Sequence, residues 1–257
     1  MGRSRGVMPE SIDLSRWRAE GAWRVNETRS HVIMWEQRLN VDLTPLTTHL
    51  DDIRDTVSSS LLLRPDLYQE SPPKSHVWVY HPDALHVPGT SVQSRKPKLF
   101  YGTVDGAGMH LVSEGLQWDS PLVLDRVLHE CVHSVWGNLV GEAPSLLNEG
   151  IAAWLERKHT HEAHPRLAEL DGAWKDAQRE GRGWLAPLMV NDGFWRARDR
   201  GLDTYAVGGY LTRAIAIQHG LCALAAIFRD VTYEATHLAD VLNQHLGVTT
   251  ADLETLN

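Results

Sequence analysis

The chain has 257 residues, of which 42% are hydrophobic and 23% charged, a balance typical of a globular protein with a sizeable core. Its formal net charge of -8 repels phosphate groups, which argues against nucleic acid and against an anionic membrane surface as general partners. Two cysteines do not make a disulfide framework, and no apolar stretch follows the basic N-terminal residues or approaches the length of a membrane span, so we expect a cytoplasmic protein.

The first half of the chain has the pattern of a small sheet with one helix. Residues 1–29 are mixed and polar, and we interpret them as an N-terminal arm. Residues 31–36 and 76–80 are short, apolar and rich in β-branched side chains, which predicts two strands. Between them, leucines at helical spacing predict an amphipathic helix over residues 44–63.

A hairpin is predicted next. Residues 99–104 and 109–112 flank the dipeptide Asp105-Gly106, which suits a tight turn because both residues tolerate positive φ. We therefore predict a small, mostly antiparallel sheet with one helix, within a sheet-rich lobe of residues 30–118.

The remaining residues, 119–257, are predicted to form a helical lobe. Ser120 and Pro121 provide a capping hydroxyl and a first-turn proline, and Gly137 is the predicted end of that helix. Pro144 starts the next helix, which runs to about residue 158. Later helical patterns cover residues 165–178, 204–219, 221–228 and 235–245, with a last turn after residue 250. Strands followed by helices predict an α+β fold that forms a single unit.

The first helix of this lobe carries the motif His129-Glu130-Cys131-Val132-His133. Because residues four apart lie one turn apart on the same helix face, both imidazoles can bind one ion. Glu130 lies on an adjoining face, where it can reach a water molecule on that ion without being a ligand. Two neutral imidazoles with a neighbouring carboxylate are typical of metal-assisted hydrolysis, in which the carboxylate takes the proton from the water.

The same pattern can arise by chance in a chain with 14 histidines. Its surroundings favour the metal interpretation, because a helix flanked by apolar residues needs a partner for two histidines and a glutamate. We interpret Cys131 and Cys222 as buried side chains. Three histidines that follow a later helix end are interpreted as part of a solvated loop and not as a second metal site: His159, His161 and His164.

The helix that follows Pro144 offers a third ligand, and a catalytic zinc has three protein ligands and one open position. Glu149 comes one short connection after the histidine pair, on a helix that must pack back against the first. By itself Glu149 would be interpreted as a solvent-facing residue, but an apolar segment after the histidine pair favours a ligand. We predict one Zn²⁺ per chain, bound by His129, His133 and Glu149.

His129-Glu130-x-x-His133 followed by Asn148-Glu149-Gly150 resembles the gluzincins, which are zinc peptidases with a helix-borne histidine pair and a downstream glutamate ligand. The likeness is greatest to the peptidase MA-like group, although Leu146 stands where tryptophan is usual. The second helix keeps these residues of that group: Pro144, Leu147, Glu149, Gly150, Ala152 and Glu156. The resemblance implies a zincin-like fold over about residues 30–257, with a small sheet followed by a helical lobe that carries the metal site.

The resemblance also implies a role for Tyr205. Gluzincin aminopeptidases have Tyr-x-x-Gly at the head of a helix, where the tyrosine hydrogen-bonds the oxyanion, and Tyr205-x-x-Gly208 matches that spacing. The alternative is a core tyrosine with a satisfied hydroxyl, which is our interpretation of Tyr210. Glu156 and Asp125 are candidates to orient a zinc-bound histidine, and the alternative for each is a surface residue.

Together these features predict a zinc-dependent hydrolase, and the resemblance implies a metallopeptidase that acts on a peptide or protein. Glu130 is the predicted general base, and Tyr205 is the predicted donor to the oxyanion. An extended substrate would pair with the strand at residues 107–112 if that strand is a sheet edge. Two alternatives stay open: a zincin-fold enzyme acting on a small non-peptide metabolite, and a non-catalytic zincin-like binding module. The sequence leaves the oligomeric state open.

Overall fold

The computed structural model describes residues 23–61, 74–81, 102–105, 108–112, 117–161 and 164–256. The chain divides into two compact units, one made of residues 1–51 and 72–118, and the other of residues 52–71 and 119–257. The first unit contains the strands and the second is helical, so the fold is α+β, as the order of the predicted elements indicated.

A mixed sheet of five strands runs through the described part of the first unit, in the order β1-β2-β3-β5-β4. Its strands are β1 (Trp23–Glu27), β2 (His31–Glu36), β3 (Ser75–Tyr80), β4 (Gly102–Asp105) and β5 (Gly108–Val112). The outer pairs β1–β2 and β4–β5 are antiparallel, whereas β2–β3 and β3–β5 are parallel. The prediction of a mostly antiparallel sheet therefore holds only for the outer pairs. The chain between β2 and β3 contains the helix α1 (Thr44–Ser60), and such a crossover allows parallel pairing.

Two further strand predictions need correction. β1 lies within residues 1–29, which we interpreted as a polar arm, because four of its five side chains are exposed and leave no apolar alternation to detect. β5 is paired on both sides, with β3 and β4, so it is not the free edge that we expected for a substrate. Residues 99–101 and Gly106 of the predicted hairpin, and residues 62–63 of the predicted helix, lie outside the described residues.

The helical unit begins with a well-capped helix, in which the Ser120 hydroxyl accepts a hydrogen bond from the backbone N–H of Val123. The helices of this unit are α2 (Pro121–Leu139), α3 (Ser145–Lys158), α4 (Leu167–Gln178), a 3₁₀ helix (Ala186–Met189), α5 (Asn191–Asp199), α6 (Thr204–Asp230), α7 (Leu238–Leu246) and α8 (Thr250–Glu254). The predicted end of α2 at Gly137 was wrong, since the helix continues through that glycine to Leu139. The sequence analysis missed the 3₁₀ helix and α5. Neither has a side-chain cap, and α5 buries only Phe194 and Ala197.

Helix α3 lies at the centre of the helical unit. It contacts α2, α4, α5 and α6, and 11 of its 14 residues are buried. Its crossing with α6 is close because glycines lie on both sides. A Cβ atom on Gly150 would lie 2.5 Å from the carbonyl oxygen of Gly208, and one on Gly208 would lie 2.3 Å from that of Leu146. Any larger side chain at this crossing must push the two helices apart.

Helix α6 is, by length and composition, the one helix of the described chain that could cross a membrane, so the statement that no run approaches that length needs correction. A core helix of a globular protein passes the same test. Gly220, with φ of 83°, divides α6 into two segments at the place predicted for a stop. The first segment packs its buried side chains in the interior of the unit, beside α3 and α4. The cytoplasmic location stays a prediction.

Within the first unit, Asp51 of α1 holds the turn between β1 and β2. Its carboxylate accepts hydrogen bonds from the Thr28 hydroxyl at 2.8 Å, from the backbone N–H of Arg29 at 3.1 Å and from that of Ser30 at 2.9 Å, and also from the Ser30 hydroxyl. Burial by itself raises the pKa of Asp51, but these hydrogen bonds outweigh it and lower the pKa from 3.8 to about 2.

Replacing this carboxylate tests its contribution to stability. Because the folded pKa is depressed, the ionised Asp51 stabilises the fold above about pH 4, and the stabilisation is lost as the pH falls towards 2. We expect Asp51→Asn to lower the free energy of unfolding by about 1–2 kcal/mol at pH 7 and by much less at pH 2.5. Urea denaturation at both pH values measures this, and an equal loss at both would contradict the assignment.

Candidate metal centre

Three side chains from α2 and α3 converge on one point. The Nε2 atoms of His129 and His133 lie 3.3 Å apart, and Oε2 of Glu149 lies 3.2 Å from the first and 3.4 Å from the second. Ligand atoms about 2.0–2.1 Å from a tetrahedral zinc are about 3.3–3.4 Å from one another. The nearly equilateral triangle therefore has the dimensions of three zinc ligands, and these residues form the only such group of metal-ligating side chains in the described chain.

Glu156 orients the first histidine of this triangle. Its Oε2 lies 2.8 Å from Nδ1 of His129, and Glu156 follows Glu149 by about two turns of α3. When the Nδ1–H of a neutral His129 donates to Glu156, the Nε2 atom of that ring carries a lone pair. This lone pair is then available to a metal ion bound by the three side chains. Of the two candidates for this role, Asp125 is used elsewhere: it accepts a hydrogen bond from the backbone N–H of His161 at 2.7 Å and one from the Thr160 hydroxyl.

This arrangement needs a positive charge at its centre. If His129 is neutral and donates to Glu156, its Nε2 lone pair faces an oxygen of Glu149, and two acceptors 3.2 Å apart repel each other. Either a proton on His129 or a metal ion removes this conflict. A divalent ion that displaces the proton satisfies both groups, so the donor set fits a metal ion.

The carboxylates of α2 and α3 surround this point with negative charge. Burial disfavours the charged form of His129, but its hydrogen bonds to Glu149 and Glu156 outweigh burial and raise its pKa. Burial likewise opposes ionisation of Glu149, but the charge of His133 and the hydrogen bonds from both histidines lower its pKa well below its usual range. The pocket therefore holds an ionised Glu149 and attracts cations.

Glu130 lies beside the triangle and does not belong to it. It is 8% exposed and forms no hydrogen bond with another residue of the described chain. Burial raises the pKa of Glu130, and the charges of His129 and His133 act in the opposite direction. A buried carboxylate with a raised pKa and unused oxygens is suited to accept a proton from water.

Tyr205, at the head of α6, lies next to the first histidine. Its ring centre is 5.9 Å from that of His129, and it is half-buried. Burial raises the pKa of Tyr205, which keeps the phenol protonated and able to donate. Tyr210, by contrast, is buried and stacks on Trp174 with ring centres 4.6 Å apart, as expected for a core residue.

Helix α5, which the sequence analysis missed, also lies beside Tyr205. The ring of Phe194 lies 5.9 Å from that of Tyr205, the ring of Trp195 lies 6.1 Å away, and the guanidinium of Arg198 lies 5.8 Å from the same ring. Trp195 and Arg198 are three residues apart, a helical spacing that is also common on plain surface helices. The sequence therefore contains no signal strong enough to assign these residues to the site.

The remaining candidates are distributed as follows. Cys131 is buried, and burial raises the pKa of its thiol to about 12, so it is an inert packing residue as predicted. Cys222 is exposed, so its interpretation as a core residue was wrong: it follows the Gly220 kink, where α6 turns that face to solvent. His159 hydrogen-bonds the Ser60 hydroxyl at 2.6 Å, and His161 pairs with Asp125.

Comparison with solved structures finds this fold in an aminopeptidase N family protein from Idiomarina loihiensis, with a TM-score of 0.51 and 15% sequence identity. The match covers 90% of this chain and 46% of that one, so the chain spans about half the length of the protein it matches. At this identity the likeness shows the fold, which is zincin-like. No protein-family model and no curated protein sequence matches the chain.

The glycine crossing provides a test of how α6 holds Glu149 in place. In Gly208→Ala the new Cβ overlaps the Leu146 carbonyl, so α3 must move. We expect a loss of about 1–3 kcal/mol in the free energy of unfolding, together with weaker metal binding, measured by denaturation and by metal titration. The control Gly172→Ala, a helix position with open space around it, should be neutral or stabilising by up to about 1 kcal/mol. Equal behaviour of the two variants would contradict the assignment.

The substitution Glu156→Gln tests the role of Glu156 in orienting His129. Glu156→Gln keeps the size of the side chain but removes the charge that holds the Nδ1–H of His129, so we expect zinc affinity to fall about 10–100-fold. Competition with a chelating dye measures the affinity. Glu142→Gln, an exposed change in the α2–α3 connection, is the charge-matched control and should have no effect. Unchanged affinity in Glu156→Gln would show that His129 is oriented by other means.

Proposed function

We propose that this chain is a zinc-dependent hydrolase of the gluzincin type and that it cleaves peptide bonds. One observation carries the proposal: a triangle of His129, His133 and Glu149 with the dimensions of a zinc site lies beside a buried carboxylate, Glu130, that is not part of it. A purely structural metal site has no need of that carboxylate, which argues against a non-catalytic binding module.

The three proposed ligands are the number that a catalytic zinc site has. His129 and His133 as neutral imidazoles, together with the Glu149 carboxylate, would hold one zinc ion per chain with a net charge of about +1. When bound there, zinc acidifies a water molecule and polarises the carbonyl of the substrate. Glu156 keeps the His129 ring in the orientation and tautomer that this binding requires.

The protein's own residues then handle the proton and the developing charge. Glu130 takes the proton from the attacking water and passes it to the leaving amine, and its unused oxygens and raised pKa support this role. The Tyr205 phenol donates a hydrogen bond to the oxyanion as the tetrahedral carbon forms, and its position against His129 supports this role.

The choice of peptide bonds as substrate rests on likeness. The fold matches that of an aminopeptidase N family protein, and the motif residues resemble those of zinc peptidases. A peptide or protein is therefore the proposed substrate of a cytoplasmic enzyme. A zincin-fold hydrolase acting on a small metabolite would use the same site, and the experiment below separates the two.

Two variants and a metal analysis test the proposal. We expect one equivalent of zinc in the purified protein and in Glu130→Gln, and loss of zinc in Glu149→Ala. Cleavage of a fluorogenic peptide library should fall by about 10²–10⁴-fold in Glu130→Gln. Mass spectrometry of the metal content and initial rates of cleavage are the measurements.

The outcomes distinguish the alternatives. Full turnover in Glu130→Gln would refute the mechanism. Bound zinc without cleavage of any peptide would instead favour a small-metabolite hydrolase, and a protein that takes up no zinc even after addition of the ion would favour a binding module.

A further inference from the structure

Arg198 lies beside Tyr205, the residue whose ring adjoins His129 of the candidate metal centre. Its guanidinium lies 5.8 Å from the Tyr205 ring centre and 5.2 Å from that of Trp195. The Tyr205 ring is in turn 5.9 Å from the His129 ring. These two steps place the guanidinium within about 12 Å of His129, which is the reach of about three residues of extended peptide at about 3.3–3.6 Å each.

Arg198 contacts two aromatic rings, and no residue in the described part of the chain accepts a hydrogen bond from its guanidinium. A guanidinium that contacts aromatic rings through its face keeps the N–H groups in its own plane available. Those N–H groups match the two oxygens of a carboxylate. Arg198 is exposed and forms no ion pair with any residue in the described part of the chain. Its neighbour Arg196, by contrast, has Asp192 as a partner at 3.6 Å.

A second exposed arginine lies on α2, the helix that carries the histidine pair. Arg126 is exposed on α2, three residues before His129 and four before Glu130, which places it one turn along the same helix side. Arg126 also has no ion-pair partner in the described chain. Helices α2 and α5 thus each bring an exposed arginine to the surroundings of a centre that holds three carboxylates.

We propose that Arg198, assisted by the charge of Arg126, binds a carboxylate of the substrate. This proposal rests on the function proposed above and names its substrate class: peptides with a carboxylate within about three residues of the scissile bond. The carboxylate is either a free C-terminus or an aspartate or glutamate side chain. Arg198 supplies a bidentate hydrogen-bonded contact, and Arg126 adds longer-range attraction.

The first experiment compares matched substrates. One pair of fluorogenic peptides differs in a free or amidated C-terminus, and a second pair differs in Glu or Gln beside the scissile bond. We expect kcat/KM to be about 10- to 100-fold higher for the carboxylate member of at least one pair, mainly through KM. The pair that shows the preference identifies the source of the carboxylate.

Variants of two arginines show which one causes the preference for substrates with a carboxylate. Arg198→Gln should reduce the preference to threefold or less, whereas Arg196→Gln, which removes the same charge from the same helix, should retain it. Zinc content and the unfolding midpoint of both variants are measured alongside, so that a structural loss is recognised. Equal kcat/KM for both members of both pairs, or a preference that survives Arg198→Gln, would overturn the proposal.

A binding measurement separates this proposal from the proposed hydrolysis. The probes are a peptide hydroxamate with a C-terminal carboxylate and its C-terminal amide, titrated calorimetrically into the zinc-loaded protein. Tighter binding of the carboxylate probe that is lost in Arg198→Gln supports the arginine site even if no peptide is cleaved. Equal binding of the two probes counts against the arginine site even if peptides are cleaved.

Discussion

The crossing of α3 and α6 at Gly150 and Gly208 is the contact on which the candidate centre depends. Glu149 directly precedes the first glycine, and Tyr205 stands one turn before the second. Because neither glycine has a Cβ, the two backbones approach until each occupies the space that a side chain would fill on the other. One contact between backbones therefore places a carboxylate of α3 and a phenol of α6 on the same side of the histidine pair.

Charge organises the site around that crossing in two layers. At the centre, Glu149, Glu156 and Glu130 lie beside two imidazoles, and burial makes every one of these charges costly unless a cation balances them. Around it, Arg126 and Arg198 are exposed, and neither forms an ion pair within the described chain. The centre is thus suited to a metal ion and its surroundings to an anion. Such a gradient suits a substrate that carries its own negative charge.

The likeness to an aminopeptidase N family protein fits this architecture at the level of the fold. The match extends over 90% of the chain, although it accounts for only 46% of the other protein. A fold of this kind hosts function through the side chains of its site. For that reason the convergence of His129, His133 and Glu149 carries more of the functional proposal than the likeness does.

Local features were predictable from the sequence because they depend on neighbours along the chain. The spacing of His129 and His133, the cap at Ser120 and the break at Gly220 each follow from helix geometry within a few residues. Glu149 could be named as a candidate for the same reason, since one short connection separates its helix from the histidine pair.

Tertiary structure decided the features that depend on which elements meet. The parallel pairing of β2 with β3 and the interior place of β5 follow from sheet order, which strand patterns do not contain. Packing also selected Glu156 of α3 over Asp125 of α2 as the partner of His129, because the sequence does not show which carboxylate reaches the imidazole. Arg198 lies beside Tyr205 because of where α5 packs. The position of this short polar helix is determined only by the packed core. The sequence by itself thus named the three side chains that converge, and the tertiary structure decided what surrounds them, because a surface is made only when distant segments pack.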